Sequence, residues 1–402
     1  MVYLHVPFCR SFCTYCDFYS EIACRDRDAQ LFESFTASVC AEASRRRDEI
    51  EATRDLNTLY IGGGTPSVLP LMYLQRIVSA SGLDPESHPF TEFTIEVNPE
   101  DIVEKGAEYV RGLLDLGVNR VSMGVQSLDD GILRWMNRRH DAAHARKAFR
   151  ILRDAGAGNI SVDLIFGLPQ LSEAVLARTL SELTAWRPEH ISAYQLSVEE
   201  GSALGRMARE GRFTEAPQEQ CAAQYALICR MLREAGYGHY EISNWALPGR
   251  EAVHNSAYWS RHPYVGLGPS AHSFDGQIRS WNIDELPPAQ AATASGNRSH
   301  PRLRKREGPA SEGSGRGPAQ QDVSGGRLPL RGGQEVLSEK EAREEEIMLG
   351  LRTARGIPEG LLDAARRTAA LDDGHLVRLP DCRVRIPEDK WFVSDDIIAD
   401  LI

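Results

Sequence analysis

Three closely spaced cysteines near the start of the chain constrain its fold more than any other feature. Cys9, Cys13 and Cys16 stand at positions i, i+4 and i+7, directly after a short apolar run that predicts a β-strand. Thiolates are soft ligands that suit zinc or an iron–sulfur cluster. Structural zinc sites normally have four protein ligands, and the other cysteines, from Cys24 to Cys382, lack the paired spacing that would complete one. Three thiolates favour a four-iron cluster with one open iron, and the alternative is a loop of buried or incidental cysteines.

The composition indicates the setting in which this cysteine loop works. A chain of 402 residues with 42% apolar and 26% charged residues is typical of a globular protein with one large and one smaller domain. Eight cysteines are too few for a disulfide scaffold, and metal-binding thiols must stay reduced, which predicts a cytoplasmic location. A net charge of −11 argues against general nucleic-acid binding.

The chain gives no sign of a membrane span or a leader. No run approaches the roughly 18 apolar residues that a transmembrane helix needs. The sequence opens almost directly on the first predicted strand, so we expect no signal or transit peptide. Peripheral membrane association and a homodimer stay open at this point.

The first half of the chain alternates strands with helices. Strands are predicted at 56–61, 93–97, 118–125, 159–165 and 191–196, after the first strand that precedes Cys9. Helices are predicted between them at 28–50, 69–80, 103–116, 129–155, with a break near 138–140, and 173–186. This alternation predicts βαβ units and a parallel sheet, which makes the fold class α/β.

Residues that could bind a ligand or take part in chemistry lie at the ends of successive predicted strands. Gly62-Gly63-Gly64 follows the second strand, Glu96 and Asn98 end the third, Gln126 ends the fourth and Asp163 lies within the fifth. Each is unremarkable alone. Because the carboxyl ends of parallel strands form one face, we expect these residues to surround one cavity with the cysteines. Consecutive glycines would let backbone N–H groups approach a ligand there.

The second half of the chain is predicted to contain three units. Residues 216–290 extend the strand–helix domain of 1–215 and include a helix at 218–235. Residues 291–334 hold nine Gly, five Ser, four Pro and eight Lys or Arg but no aromatic residue, so we predict a disordered insert, with a reading-frame artefact as the alternative. Residues 335–402 are predicted to form helices at 338–354 and 358–370, a strand at 391–393 and a final helix.

These phrases together resemble the radical S-adenosylmethionine (radical SAM) superfamily. The resemblance rests on the cysteine loop, Gly-Gly-Gly-Thr-Pro at 62–66, Gly-Val-Gln-Ser at 124–127 and Val-Asp-Leu-Ile-Phe-Gly-Leu-Pro at 162–169. It implies a partial (β/α)6 TIM-like barrel with a small, mainly helical, winged-helix-like C-terminal domain. It also implies a [4Fe-4S] cluster on Cys9, Cys13 and Cys16. SAM contacts are implied at the following positions: Tyr3, Tyr15, Gly63, Gly64, Thr65, Glu96, Gln126, Arg138 and Asp163.

Within the superfamily the motifs resemble one branch, which contains oxygen-independent coproporphyrinogen III dehydrogenases and HemW-type heme chaperones. The dehydrogenases carry a further cysteine two residues after the third, where this chain has Phe18, and they have an N-terminal extension before the loop. Both differences favour the chaperones. The phrase His254-Asn-Ser-Ala-Tyr258-Trp259 resembles their H-N-x-x-Y-W element and implies a heme contact. An ordinary hydrogen-bonded histidine is the alternative.

The resemblance implies a protein that holds heme and passes it to apoproteins, with respiratory enzymes as candidate acceptors. His239, His262 and His272 are competing heme ligands. Whether the chain is an enzyme stays open, since cluster and SAM could serve radical chemistry or regulate heme transfer. The alternatives are the dehydrogenase, which removes two propionate carboxyl groups from its substrate, and a nucleic-acid-modifying enzyme using the basic stretch 298–306.

Overall fold

The computed structural model describes residues 1–23, 28–83, 88–286 and 331–402. Its strands are β1 (Val2–Val6), β2 (Phe8–Cys9), β3 (Glu21–Ile22), β4 (Thr58–Gly63), β5 (Glu92–Val97), β6 (Arg120–Gln126), β7 (Ile160–Phe166), β8 (His190–Gln195), β9 (Gly238–Glu241), β10 (Asn244–Ala246), β11 (Val265–Leu267), β12 (His272–Phe274), β13 (Ile278–Asn282), β14 (Arg331–Val336), β15 (Ile357–Pro358), β16 (Val377–Arg378) and β17 (Arg383–Arg385). Its α-helices are α1 (Asp28–Arg45), α2 (Arg47–Ala52), α3 (Leu71–Ala80), α4 (Pro99–Asp115), α5 (Asp130–Trp135), α6 (Ala142–Asp154), α7 (Glu173–Trp186), α8 (Ala203–Arg209), α9 (Gln218–Glu234), α10 (Val253–Trp259), α11 (Glu339–Leu351), α12 (Ala364–Asp372) and α13 (Ser394–Leu401).

A single large sheet organises the molecule. Its strand order is β11-β1-β4-β5-β6-β7-β8-β10-β9. The six strands from β1 to β8 in this order are mutually parallel, and helices connect them. The predicted α/β class and the partial (β/α)6 barrel are confirmed.

Each barrel strand separates its apolar and polar residues by alternation. On β6, Val121, Met123 and Val125 join the hydrophobic core, whereas Arg120, Ser122, Gly124 and Gln126 line the inner cavity. Because successive side chains of a strand point to opposite faces, one face packs on the helical layer and the other faces the lumen. The barrel is therefore apolar outside and polar inside.

The outer layer consists of helices that pack on one another and on the sheet. Neighbouring pairs include α1 with α3, α4 with α6, and α7 with α9. The predicted break near 138–140 is confirmed, because α5 ends at Trp135 and α6 begins after its N-cap Asp141, whose carboxylate accepts a hydrogen bond from the His144 backbone N–H. The predicted helix at 28–50 is in fact the pair α1 and α2.

The barrel extension contains short strands that the sequence analysis did not predict. Strand β11 pairs in parallel with β1, and β10 pairs antiparallel with β8, so the extension continues the sheet at both edges. Strand β14 pairs with β13, which corrects the predicted insert, because its last residues, 331–334, lie in β14. Here Gly333 leaves room for an aromatic ring, since a Cβ on it would lie 2.6 Å from the Trp281 indole. The rest of that prediction, 291–330, lies outside the described residues.

The C-terminal part is mainly helical, as predicted, with a small antiparallel sheet of order β15-β17-β16. Two details of its prediction were wrong. The helix expected at 358–370 is a 3-10 turn, Glu359–Leu361, followed by α12, because Asp363 caps a new helix through the backbone N–H groups of Ala365 and Arg366. The strand expected at 391–393 belongs to the 3-10 helix Glu388–Val393, where the buried Trp391 indole donates to the Ile386 carbonyl.

Among the helices in the described part of the chain, none is long and apolar enough to span a bilayer.

Candidate functional site

A cavity of about 690 Å³ opens at the carboxyl ends of the parallel strands. This is where the sequence analysis expected it. The structure brings most of the predicted site residues to its wall: Cys9, Cys13, Tyr15, Cys16, Gly63, Gly64, Thr65, Glu96, Gln126, Arg138 and Asp163. Residues from five strands and their loops therefore form one site.

The cysteine loop is fixed by hydrogen bonds to the rest of the rim. The Thr14 N–H donates to the Met136 carbonyl at 3.1 Å, and the Asn137 amide donates to the Phe12 carbonyl at 2.7 Å. The Arg138 guanidinium lies 3.6 Å from the Cys13 sulfur. A rigid loop holds three half-buried thiols towards one space, which is the donor set that a four-iron cluster requires.

The electrostatics of the site suit an incoming metal cluster. Burial raises the pKa of the Cys9 thiol and raises that of Cys16 to about 11. Burial opposes the charge of Arg138, but the neighbouring Tyr15, Cys13 and Glu100 raise its pKa, so the guanidinium stays charged. These raised pKa values keep the Cys9 and Cys16 thiols protonated in the absence of a cation, and ligation by iron would displace their protons.

The glycine loop passes so close to the cysteine loop that no side chain fits between them. A Cβ on Gly64 would lie 2.8 Å from the Phe8 carbonyl oxygen and 3.1 Å from the Cys9 sulfur. Gly63 has a φ of 111°, a conformation that favours glycine. The two loops thus form a narrow cradle of backbone groups beside the thiols, which fits a ligand bound at an open iron.

Glu96 is held as an acceptor on the cavity wall. Its carboxylate accepts hydrogen bonds from the Tyr60 hydroxyl at 2.7 Å and from the Gly63 N–H at 3.2 Å. Burial raises the pKa of Glu96 to about 7. Tyr3 does not line the cavity but stacks on Tyr60, with ring centroids 6.1 Å apart, so the structure places it behind the wall.

A short chain of hydrogen bonds joins three of the rim loops. The Asn98 amide donates to the Thr65 hydroxyl at 3.1 Å, and Arg138 donates to the Asn98 side-chain oxygen at 2.6 Å and to the Gly124 carbonyl at 2.9 Å. Gln126, at the end of β6, has a φ of 63°. These hydrogen bonds hold the loops that follow β4, β5 and β6 in place relative to the cysteines.

Three residues of the cavity floor, Arg120, Ser192 and Tyr194, were not predicted from the sequence, and they lie there with the predicted Asp163. Arg120 is 2% exposed, and its Nε and Nη1 atoms have no hydrogen-bond partner among the described residues. Asp163 accepts hydrogen bonds from the Ser122 hydroxyl at 3.1 and 3.3 Å, and burial raises its pKa. Ser192 and Tyr194 complete the floor. The sequence does contain one signal for this floor. Arg120 is an arginine at a position of β6 that the strand alternation places on the inner face.

The predicted heme element lies beneath the cavity rather than in its wall. His254 is fully buried on α10, with its Nδ1 atom 2.9 Å from the Thr58 hydroxyl and its Nε2 atom 3.0 Å from the Tyr258 hydroxyl. Burial lowers the pKa of His254 to about 3, so the ring is neutral. Of this element only Asn255 lines the cavity, and Trp259 is half-buried on the same helix. Both ring nitrogens of His254 are thus engaged within the protein.

Known proteins resemble this chain in sequence and fold. Residues 3–183 match the family model of the Radical SAM superfamily. The heme chaperone HemW of Lactococcus lactis is 31% identical over 88% of this chain and 82% of its own length, and that of Mycobacterium tuberculosis is 31% identical over 93% and 88%. The solved structure of coproporphyrinogen III oxidase (HemN) from Escherichia coli, a radical SAM enzyme, covers 99% of this chain and 89% of its own with a TM-score of 0.72 and 19% identity, a likeness of fold.

The open barrel and the three-cysteine rim therefore define a protein of the radical SAM class. Its cofactors are a [4Fe-4S] cluster and SAM. Within that class, the chain belongs to the HemW family.

Proposed function

We propose that this protein is a heme chaperone, which binds heme together with a [4Fe-4S] cluster and SAM and transfers the heme to acceptor proteins. The observation that carries the proposal is the similarity to HemW chaperones over most of both chains. Phe18, which stands at the cavity mouth and is 72% exposed, supports it, because the dehydrogenase branch is expected to have a cysteine there.

We propose the following cofactor contacts, which the shape of the cavity supports. Cys9, Cys13 and Cys16 hold the cluster, and the backbone cradle at Gly63 and Gly64 receives the amino-acid end of SAM beside it. The carboxylate of Glu96 accepts the sugar hydroxyls, since a carboxylate can take two hydrogen bonds side by side. Further contacts come from the remaining predicted residues that line the cavity: Tyr15, Thr65, Gln126, Arg138 and Asp163. Tyr3 acts from behind the wall, through the Tyr60 ring on which it stacks. When bound, cluster and SAM supply one-electron chemistry, and these residues position them and exclude water.

The heme contact involves His254, Tyr258 and Trp259. Because both nitrogens of His254 are hydrogen-bonded, ligation of heme iron requires its Nε2 atom to leave the Tyr258 hydroxyl or its Nδ1 atom to leave Thr58. His272 is a competing ligand that is more accessible than His254. It is exposed, and its ring stacks on that of Trp281 with a centroid distance of 5.9 Å. Substituting each histidine separately therefore distinguishes which of the two ligates the heme iron.

The acceptors are apoproteins that take up heme, and respiratory enzymes are the class that we propose. Such enzymes lie at membranes, so a transient peripheral association would accompany delivery. We place the chaperone in the cytoplasm, where thiols stay reduced. A homodimer would be compatible with this role.

A heme titration under anaerobic conditions tests the function. The cluster-loaded protein should bind about one heme with a Soret band and deliver it to an apoenzyme. It should form no protoporphyrinogen from coproporphyrinogen III and SAM. Formation of that product would overturn the chaperone proposal in favour of the dehydrogenase, and absence of heme binding would also overturn it.

Two variants locate the heme ligand. His254→Ala should change the Soret band and weaken heme binding, because the axial nitrogen is lost. His272→Ala serves as the matched control and should leave both unchanged. The reverse result would move the ligand to His272 without affecting the assignment of function.

A further inference from the structure

Three potential metal ligands meet away from the cavity, where the C-terminal part packs on the barrel extension. They are Cys229 on α9, His239 on β9 and Glu388 at the start of the 3-10 helix Glu388–Val393, and their ligand atoms all lie within 4.8 Å of one another. We call them the Cys-His-Glu cluster. The cysteine loop, the glycine loop and the heme element contribute none of its members.

The imidazole of His239 is oriented as in many metal sites. Its Nε2 atom lies 3.4 Å from the Ile242 carbonyl oxygen, which can only accept, while its Nδ1 atom lies 3.2 Å from the Glu388 carboxylate. A histidine that ligates metal commonly donates its other ring N–H to a backbone carbonyl, and that contact fixes the tautomer. A metal ion between Nδ1 and the Glu388 carboxylate would replace the proton that joins these two atoms in the metal-free protein, while Nε2 keeps its contact with Ile242.

The surroundings of the Cys-His-Glu cluster are rigid yet accessible. The His239 ring stacks on Trp245 at a centroid distance of 4.0 Å and meets Trp391 edge-on at 4.3 Å. Its side chain is 2% exposed, whereas that of Glu388 is 30% exposed, so an ion can enter from the carboxylate side. Arg233 also holds Glu388 through a 2.7 Å ion pair, and ligating carboxylates are commonly hydrogen-bonded in this way.

We propose that Cys229, His239 and Glu388 bind a zinc ion, which joins α9 and β9 to the C-terminal part. One sulfur, one imidazole nitrogen and one carboxylate oxygen are all ligands that zinc accepts, and a water molecule completes a tetrahedral site. Bond lengths of about 2.0–2.3 Å require ligand atoms roughly 3.3–3.8 Å apart, so the present separations close with small side-chain movements. The site lies between two parts of the molecule, and its fourth position, open to water, distinguishes it from a closed four-ligand zinc site.

Metal analysis of the full, cluster-loaded chain tests this site. After dialysis against a weak chelator, the protein should retain about one zinc in addition to its cluster iron. Zinc should raise the thermal midpoint by about 2–5 °C at a hundredfold excess over Kd. The Cys9→Ala, Cys13→Ala, Cys16→Ala variant should keep the zinc, which separates this site from the cysteine loop and from the heme function.

Two substitutions then identify the ligands. Cys229→Ser should weaken zinc binding at least a hundredfold and Glu388→Gln about tenfold, whereas Cys40→Ser, at a half-buried thiol on α1, should leave it unchanged. The proposal is wrong if the wild-type chain binds zinc no more tightly than about 10 μM, or if Cys229→Ser binds it as tightly as the wild type. Because both substitutions are nearly isosteric and keep the His239 ring packed between Trp245 and Trp391, circular dichroism should show both variants folded.

Discussion

Glu96 shows how a single residue acquires its function from its surroundings. In the sequence it is a glutamate at the end of a predicted strand, where an exposed carboxylate is the common outcome. In the fold its oxygens accept from Tyr60 and from the Gly63 backbone, and burial raises its pKa to about 7. The residue type and position were predictable, but the raised pKa depends on burial by neighbouring strands and, to a lesser extent, on the Asp163 carboxylate of β7.

SAM binding should therefore depend on pH around neutrality. The raised pKa means that Glu96 gains a proton as the pH falls through about 7, and the protonated carboxyl loses acceptor capacity. We expect the Kd for SAM to rise by up to about tenfold for each pH unit below 7. Anaerobic calorimetry from pH 8 to pH 6 measures this change.

Glu96→Gln should weaken SAM binding by about tenfold to a hundredfold, because hydrogen bonds to a charged group contribute about 1.5–3 kcal/mol. The variant should also lose most of the pH dependence. Glu251→Gln, at an exposed position, is the control and should behave as the wild type. An unchanged pH profile in Glu96→Gln would remove Glu96 from the SAM site.

At the scale of elements, long regular units were predictable and short ones were not. The strand expected at 159–165 is Ile160–Phe166, and the helix expected at 173–186 is Glu173–Trp186. Strands β9 to β13 have only three to five residues each, and β10 and β11 join the large sheet through β8 and β1, which lie far away in the sequence. The two-residue alternation of a strand is recognisable only over several residues. Strands this short therefore cannot be predicted from the pattern, and pairing with other strands defines them.

The junction between β4 and the glycine loop gives a prediction at this scale. Gly64→Ala should lower cluster iron per chain several-fold, because its Cβ would press on the Phe8 backbone and the Cys9 sulfur. Gly158→Ala is a matched control, since a Cβ there meets no atom within 4 Å. Iron and acid-labile sulfide assays on anaerobic preparations measure the effect. Full iron content in Gly64→Ala would show that the cradle tolerates a methyl group.

At the scale of the whole molecule, partly buried ion pairs connect the C-terminal helix α11 to the barrel extension. Glu345 pairs with Arg261 at 2.7 Å and also with Arg279, and the side chains of Glu345 and Arg261 are each 16% exposed. The charges thus lose much of their water on docking. Such pairs resist separation because removing one partner leaves the other buried and uncompensated.

Glu345→Gln should promote opening of the C-terminal part. We expect a loss of about 1–2 kcal/mol after allowance for solvent screening, which corresponds to roughly tenfold faster cleavage by a protease within residues 331–402. Glu344→Gln, which removes only the exposed contact with Lys340, should change the cleavage rate less than twofold. Equal cleavage rates for both variants would contradict a docking role for the Glu345 pairs.

The sequence alone determined the barrel, the position of the three-cysteine loop that we propose holds the cluster, and the order of the rim residues, because alternating periodicity and fixed motif spacing are local properties of the chain. Tertiary structure decided what those residues face. It turned the polar side of each strand into a lumen with Arg120 at its floor, engaged both nitrogens of His254, and brought Cys229, His239 and Glu388 together from distant positions. Burial and long-range packing set these outcomes, which cannot be predicted from any short stretch of the sequence.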